Sequence, residues 1–289
     1  MQSALEIQGA RHAYAEELRA VSNLRSKALV KAFATVPREQ FLGPGPWQIL
    51  APAALGRREY RTTEDADPRH LYHNVLVAID ADRGLNNGEP SSLALWFDAL
   101  DLQTGERAIH IGCGVGYYTA ILAEVVGPAG HIIGIEVDAT LAARARNNLA
   151  HLKHVTVVTG DGAMLEPETA DAVFVNAGAT HPRIEWLNSL RVGGRLMVPL
   201  TTTVDAFDHT GGGMLRVTRK PNGYDARFVS RIAIFPCAGA RDPESNALLA
   251  DALGAGSLEA VNSLRTHQHD ADATCWLHGK DFRLSTSEI

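Results

Sequence analysis

Cysteine is scarce in this chain, and long apolar runs and repeats are missing. The three cysteines, Cys113, Cys237 and Cys275, are odd in number and widely separated. That excludes the paired framework of a small secreted domain and the clustered spacing of a zinc site, so free thiols are expected. No stretch reaches the roughly 18 apolar residues a bilayer-spanning helix needs. Residues 1–31 are interrupted by charges and lack the apolar centre of a leader peptide, so neither signal nor anchor is expected. Positive charge is not in excess either: 27 Lys and Arg against 33 Asp and Glu leave a formal charge of −6 at pH 7. No global field then draws nucleic acid or an anionic membrane. The expectation is a soluble cytoplasmic enzyme with no nucleic-acid or membrane partner. Its 289 residues suffice for a large core, in one α/β domain with appendages or in two small domains.

The most informative stretch is Ala108 to Gly127, AIHIGCGVGYYTAILAEVVG, which reads as a buried strand, a glycine turn and a helix in succession. The apolar run before Gly112 suits a parallel strand covered on both faces, and Tyr117, Ile121, Leu122 and Val125 recur at helical spacing. Gly112, Gly114 and Gly116 let the backbone turn sharply and come close to a ligand with no Cβ in the way. A dinucleotide fingerprint G-x-G-x-x-G needs a glycine where this chain has Tyr117, so the spacing favours S-adenosylmethionine over NAD. Glu136 ends a second apolar strand, His131 to Glu136, at the place of a ribose-binding carboxylate in either class. His154 to Met164 forms a third strand closing on Gly160-Asp161-Gly162, where an aspartate suits an adenine amino group. Each acid taken alone is equally a helix cap or a solvated loop residue.

Strand and helix alternate over 108–112, 117–126, 131–136, 139–151, 154–159, 171–176, 183–190 and 194–199, the pattern of a doubly wound, mostly parallel sheet. Met214 to Lys220 and Tyr224 to Ile232 flank Pro221-Asn222-Gly223 and predict an antiparallel hairpin at one sheet edge. Upstream, one helical region is expected from Ala4 to Ala34, ended by Val36-Pro37, then an irregular surface insertion to about Arg69. Leu71 to Ile79 reads as a strand, and a helix runs from Glu89-Pro90 through Leu100. The tail suggests helices over Asn246 to Leu253 and Leu258 to Leu264, and a closing hairpin over Thr274 to Ser285. The organisation expected is an N-terminal helical and acceptor-loop region (1–100), a cofactor-binding core (101–236) and a C-terminal extension (237–289).

From Leu29 to Phe235 these residues resemble the protein-L-isoaspartate O-methyltransferases, within the class I S-adenosylmethionine-dependent methyltransferases. The likeness is carried by LVKAFATVPREQFL, HIGCGVGYYTAILAEVVG, VTGDGAM, DAVFVNAGATHPRIEWLNSL and RVGGRLMVPL, five motifs in the family's order. It implies a Rossmann-like fold and carboxyl methylation of a peptide or protein, with S-adenosylhomocysteine as by-product. It also implies that Gly112, Cys113 and Gly114 line the methionine part of the cofactor, that Glu136 holds the ribose, and that Asp161 and Gly162 flank the adenine. His110, Val137 and Asn176 complete the expected cofactor set. Ala177, Gly178 and Ala179, with His181 and Gly88, are expected to border the acceptor.

Two positions depart from the family pattern. His110 stands where relatives have an acidic residue; as a neutral imidazole it can still bond the cofactor's amino group, as a cation it would repel it, and a purely structural role is the alternative. The family's G-Q-T-I-S-Q-P falls on Gly84-Leu85-Asn86-Asn87-Gly88-Glu89-Pro90, so its serine becomes Gly88. A carboxylate with a pKa near 4 is ionised at pH 7, and a sulfonium is already a good leaving group, so no general base is needed. Catalysis is then mainly orientation, for which Asn86 and Asn87 offer amide donors as the expected catalytic pair. Glu89 reads as a helix-start residue. His73, His181 and Arg183 are candidate anion contacts, each more often a surface residue, and His267, His269 and Asp270 look like a polar loop and not a metal site. Retargeting to another acid, a cofactor-binding module without catalysis, and an NAD-dependent oxidoreductase are the other readings.

Overall fold

A computed structural model describes residues 4–50, 59–164, 168–203, 210–267 and 270–289. Contacts divide these into two compact units, the first within Met1–Gly105, Cys113–Ile132 and Asp138–Val157, the second within Glu106–Gly112, Ile133–Val137 and Val158–Ile289.

In the first unit the expected single N-terminal helix is two, α1 (Ala4–Val21) and α2 (Lys27–Thr35). The break has a local cause. Asn23 adopts φ +49°, Ser26 caps α2 by accepting from the Leu29 N–H, and the Asp98 carboxylate accepts the N–H groups of both Arg25 and Ser26. Part of the segment expected to be irregular is strand. β1 (Gln48–Leu50) and β2 (Arg61–Thr62) join β3 (Leu76–Asp80) and β4 (Leu85–Asn86) in a small sheet of order β2-β1-β3-β4. Its inner face buries Trp47, Ile49, Leu71, Val75 and Val77. α3 (Pro90–Leu100) follows, with proline in its first turn, where no N–H partner is needed. α4 (Tyr117–Val126) and α5 (Ala139–Leu149) complete the unit, and α2 packs on α4. A Cβ on Gly116 would stand 2.8 Å from Leu149 of α5, so the last glycine of the turn also permits close helix packing.

A ten-stranded sheet lies mostly in the second unit, while residues 131–132 and 155–157 fall in the first. In chain order its strands are β5 (Arg107–Ile111), β6 (His131–Glu136), β7 (Val155–Thr159), β8 (Ala170–Val175), β9 (Leu190–Thr203), β10 (Thr210–Lys220), β11 (Gly223–Ile234), β12 (Ser263–Arg265), β13 (Cys275–His278) and β14 (Arg283–Ser285). Their spatial order is β13-β14-β12-β11-β10-β9-β8-β5-β6-β7. β5 pairs parallel with β8, and β8 with β9, while β9 to β14 run antiparallel; the mostly parallel centre with antiparallel edge strands is the architecture the sequence predicts. The hairpin turns at Pro221-Asn222, between Lys220 and its partner Gly223. In the tail, α6 (Pro243–Ala255) and the β13–β14 hairpin form as expected, but Leu258 to Leu264 is not a helix: a single 3₁₀ turn, Leu258–Ala260, leads into β12. Leu264 pairs with Tyr224 on one side and Leu284 on the other, and this cross-strand burial overrides the helical spacing of Leu258, Val261 and Leu264. At the opposite end of β5, Glu106 holds the buried Arg195 of β9 through paired bonds of 2.8 and 2.7 Å.

Candidate active site

In the second unit, backbone hydrogen bonds align the carboxyl ends of four strands. Gly112 N–H donates to the Ile135 carbonyl (2.8 Å), Gly160 N–H to Glu136 (3.0 Å) and Asn176 N–H to Ile111 (2.8 Å). This brings Gly112, Glu136, Val137, Asp161, Gly162 and Asn176 to one edge of the sheet, the place where open α/β sheets bind ligands. Gly112 has φ +75°, and a Cβ there would lie 3.4 Å from the Asn176 carbonyl. Gly162 is packed so tightly that a Cβ would come within 2.3 Å of Ile111, and its carbonyl accepts the Trp186 indole N–H at 2.8 Å. Asp161 accepts the Ala163 N–H at 2.9 Å, which fixes its carboxylate. Glu136 is buried, whereas the neighbouring Val137 is 55% exposed, so an apolar face stands beside a carboxylate.

His110 sits one residue behind this edge, fully buried on β5 and edge-on to Phe174 of β8 with ring centroids 5.5 Å apart. Burial pushes its pKa down to about 3, so the imidazole is neutral at pH 7. A repelling cation is thereby removed from consideration.

Ala177 to Thr180 continue from β8. Ala179 pairs with β9 by donating to the Pro199 carbonyl and accepting from Thr201 N–H. The other side of this segment is covered by residues 235–242, which sequence reasoning missed. Gly178 donates to the Phe235 carbonyl, Cys237 N–H donates to Gly178, and Thr180 N–H donates to Ala240. Arg241 adds bonds to the Gly178 and Thr201 carbonyls, and Asp242 N–H reaches the Thr180 hydroxyl. Gly239, at φ +73°, lies so close to Asp161 that a Cβ would be 2.0 Å from its carboxylate oxygen. Burial, with Asp161 nearby, pushes the Cys237 thiol up to about 12, so it is not a nucleophile at neutral pH. The signal for this strap is non-local backbone pairing, and only the glycine and proline of Phe235-Pro-Cys-Ala-Gly hint at it. His181 stacks on Phe282 at 5.9 Å, and burial, with Arg183 beside it, lowers its pKa. Arg183 itself is paired with Glu185 and donates to the Ala163 carbonyl.

The remaining predicted residues belong to the first unit. Cys113 is buried, and Gly114 has φ +56°. Asn86 accepts the Gly88 N–H through Oδ1 (2.9 Å) and its amide also bonds the Tyr60 hydroxyl. Asn87 is only 8% exposed and its Oδ1 is taken by Val77 N–H and by Arg38. Gly88, at φ +82°, has its carbonyl bonded by the Tyr118 hydroxyl. Glu89 occupies the N-cap position of α3 without a side-chain cap bond, and its carboxylate accepts from Asn74, Ser91 and Ser92. His73 is exposed. His269 lies outside the described residues, and among those described no group of His, Cys, Asp and Glu is arranged to hold a metal. Among them, too, no helix is long and apolar enough to cross a membrane.

A mostly parallel sheet with a left-handed glycine at the end of β5, an acid at the end of β6 and a fixed aspartate after β7 is the fold of a class I methyltransferase. Solved structures agree on the fold: a protein-L-isoaspartate O-methyltransferase superposes with a TM-score of 0.64 at 20% identity, covering 95% of this chain and 87% of that one. A second, from Plasmodium falciparum and in complex with S-adenosyl-L-homocysteine, gives 0.59 at 17% identity over 78% and 97%. The family model for protein-L-isoaspartate(D-aspartate) O-methyltransferase matches residues 10–222. The protein-L-isoaspartate O-methyltransferase of Ignicoccus hospitalis is 30% identical over 219 residues, 74% of this chain and 90% of its own, and that of Archaeoglobus fulgidus is 33% identical over 148 residues, 47% and 68%. The chain belongs to the protein-L-isoaspartate O-methyltransferase family, and is thus an S-adenosylmethionine-dependent carboxyl methyltransferase.

Proposed function

We propose that this protein methylates a carboxylate of a peptide or protein, the free α-carboxylate of an isoaspartyl residue, in the cytoplasm. The observation that carries the reading is the shared edge of β5 to β8, where Glu136, Asp161 and the left-handed Gly112 lie together. These residues suit S-adenosylmethionine. Gly112 lets the backbone approach the methionine part, and Glu136 accepts from the ribose hydroxyls. Val137 offers an apolar face to adenine, and Asp161 accepts from its amino group. Neutral His110 is compatible with a cationic amino group close to the strand end. The cofactor supplies an electrophilic methyl on a sulfonium.

The chain's own contribution is placement. An ionised acceptor carboxylate needs no base, so holding its oxygen in line is the main source of rate, worth roughly 7–11 kcal/mol for well-oriented reactants. Within the first unit we assign Asn86 to direct contact with the acceptor and Asn87 to holding the loop that ends at Gly88. The absent serine hydroxyl at Gly88 is no obstacle to this chemistry, because no proton has to be removed. Calorimetry tests the cofactor half. S-adenosylhomocysteine should bind, NADH should not, and Asp161→Ala should weaken the former at least tenfold; binding of NADH alone would reverse the assignment.

A further inference from the structure

We infer that Arg38 is a positioning residue for methyl transfer: its buried guanidinium clamps the Asn86–Gly88 loop to the segment 71–75 that leads into β3. The inference rests on that loop being the acceptor side. Arg38 is fully buried in the first unit, yet among the described residues it has no carboxylate partner at ion-pair distance. Its fork is spent instead on neutral acceptors drawn from separate points of the chain. Nη1 donates to the Leu71 carbonyl at 2.7 Å and to that of His73 at 3.3 Å. Nη2 donates to the Val75 carbonyl at 2.8 Å and to Asn87 Oδ1 at 3.1 Å.

Asn87 is the loop residue gripped. Its Oδ1 also accepts the Val77 N–H at 3.2 Å, and its own N–H donates to the Val77 carbonyl at 3.0 Å. The centre of the loop is therefore fixed at three points, and the flanking residues inherit that order: Gly88 N–H is bonded by Asn86 Oδ1, and its carbonyl by the Tyr118 hydroxyl. The rings of Tyr14 and Tyr117 face the guanidinium from 6.0 and 5.8 Å. Tyr117 follows the last glycine of the G-x-G-x-G turn, so one cation touches both the acceptor loop and the first residue of the helix behind the glycine turn.

A buried cation without a carboxylate is an expensive way to fill a core, and apolar residues of similar volume stabilise as well or better. What an apolar residue cannot do is hold four acceptors at once. Lysine cannot either, since a single ammonium lacks the planar fork. The clamp matters most in this chain because Gly88 is without a side chain and at φ +82°, a conformation that glycine does nothing to lock.

Arg38→Lys tests the clamp with two readouts that separate it from general stability. In hydrogen exchange without any acceptor, the amides of 84–89 should exchange at least tenfold faster while α3 and α4 keep parent protection. In steady-state transfer to an isoaspartyl peptide, kcat should fall at least tenfold while the dissociation constant for S-adenosylhomocysteine stays within twofold. Parent-like loop protection together with parent kcat overturns the inference, as does a loss of protection spread evenly over the unit. Should Arg38→Lys not fold, Asn87→Leu removes the loop arm of the clamp together with the Val77 N–H bond to the same oxygen and must release the same amides; retained protection there overturns the inference equally. If the unaltered protein transfers no methyl to isoaspartyl peptides, the acceptor reading fails while the exchange result still decides the clamp.

Discussion

Acidification from pH 7 to pH 5 perturbs His110 before most carboxylates respond. In the unfolded chain this imidazole takes up a proton near pH 6.5, whereas in the folded protein burial holds its pKa at about 3. Between those values the unfolded state binds more protons, so stability rises with pH; the contribution is complete above about 6.5 and is lost as pH falls toward 3. One proton over this window amounts to about 1.4 kcal/mol per pH unit at most, or about 2 kcal/mol between pH 7 and 5. That is a large part of a typical net stability of roughly 5–15 kcal/mol. Urea unfolding of the parent and of His110→Asn at both pH values isolates the effect, because the other titrating groups are common to the two proteins. The parent should lose about 2 kcal/mol more than the variant on acidification. Equal losses would show that His110 is not held neutral by burial, and would remove the argument that it tolerates a cationic cofactor group.

Arg195→Ala takes the paired 2.8 and 2.7 Å bonds from the buried Glu106 carboxylate, which keeps Arg191 at 3.3 Å; the expected loss is about 3 kcal/mol in urea unfolding, the lower end for a broken buried pair, and a change under 1 kcal/mol would contradict it. Gly162→Ala would drive a methyl to 2.3 Å from Ile111. We expect about 1–3 kcal/mol of destabilisation, with weaker S-adenosylhomocysteine binding by calorimetry as Asp161 moves. Gly88→Ser restores the side chain relatives carry, but at φ +82° and with its Cβ 3.0 Å from Leu93. It should cost about 1–2 kcal/mol in a thermal melt and leave kcat no higher than the parent's.

The centre of the sheet was legible because parallel strands buried on both faces are written as continuous apolar runs, and because Gly112, Gly114 and Gly116 mark a turn that few other residues permit. Glu136 and Asp161 followed from where those strands end. The helix break at Asn23 was not legible, since it is set by Asp98 from a distant helix. The strap at 235–242 was hidden for a related reason: its order comes from backbone pairing to Gly178 and Thr180, which leaves no side-chain period. β12 was misread because Leu258, Val261 and Leu264 fall at helical spacing while neighbouring strands decide the outcome. Arg38 stood in plain view within VPREQF, but nothing in a local pattern says that a cation is fully buried against carbonyls more than thirty positions away.

Transfer of a labelled methyl group from S-adenosylmethionine to an isoaspartyl peptide, beside the same peptide carrying normal aspartate, tests the central claim most directly. The account predicts a base-labile methyl ester on the isoaspartyl peptide, diminished at least tenfold in Asp161→Ala. Cofactor binding without ester formation on the isoaspartyl peptide would contradict it.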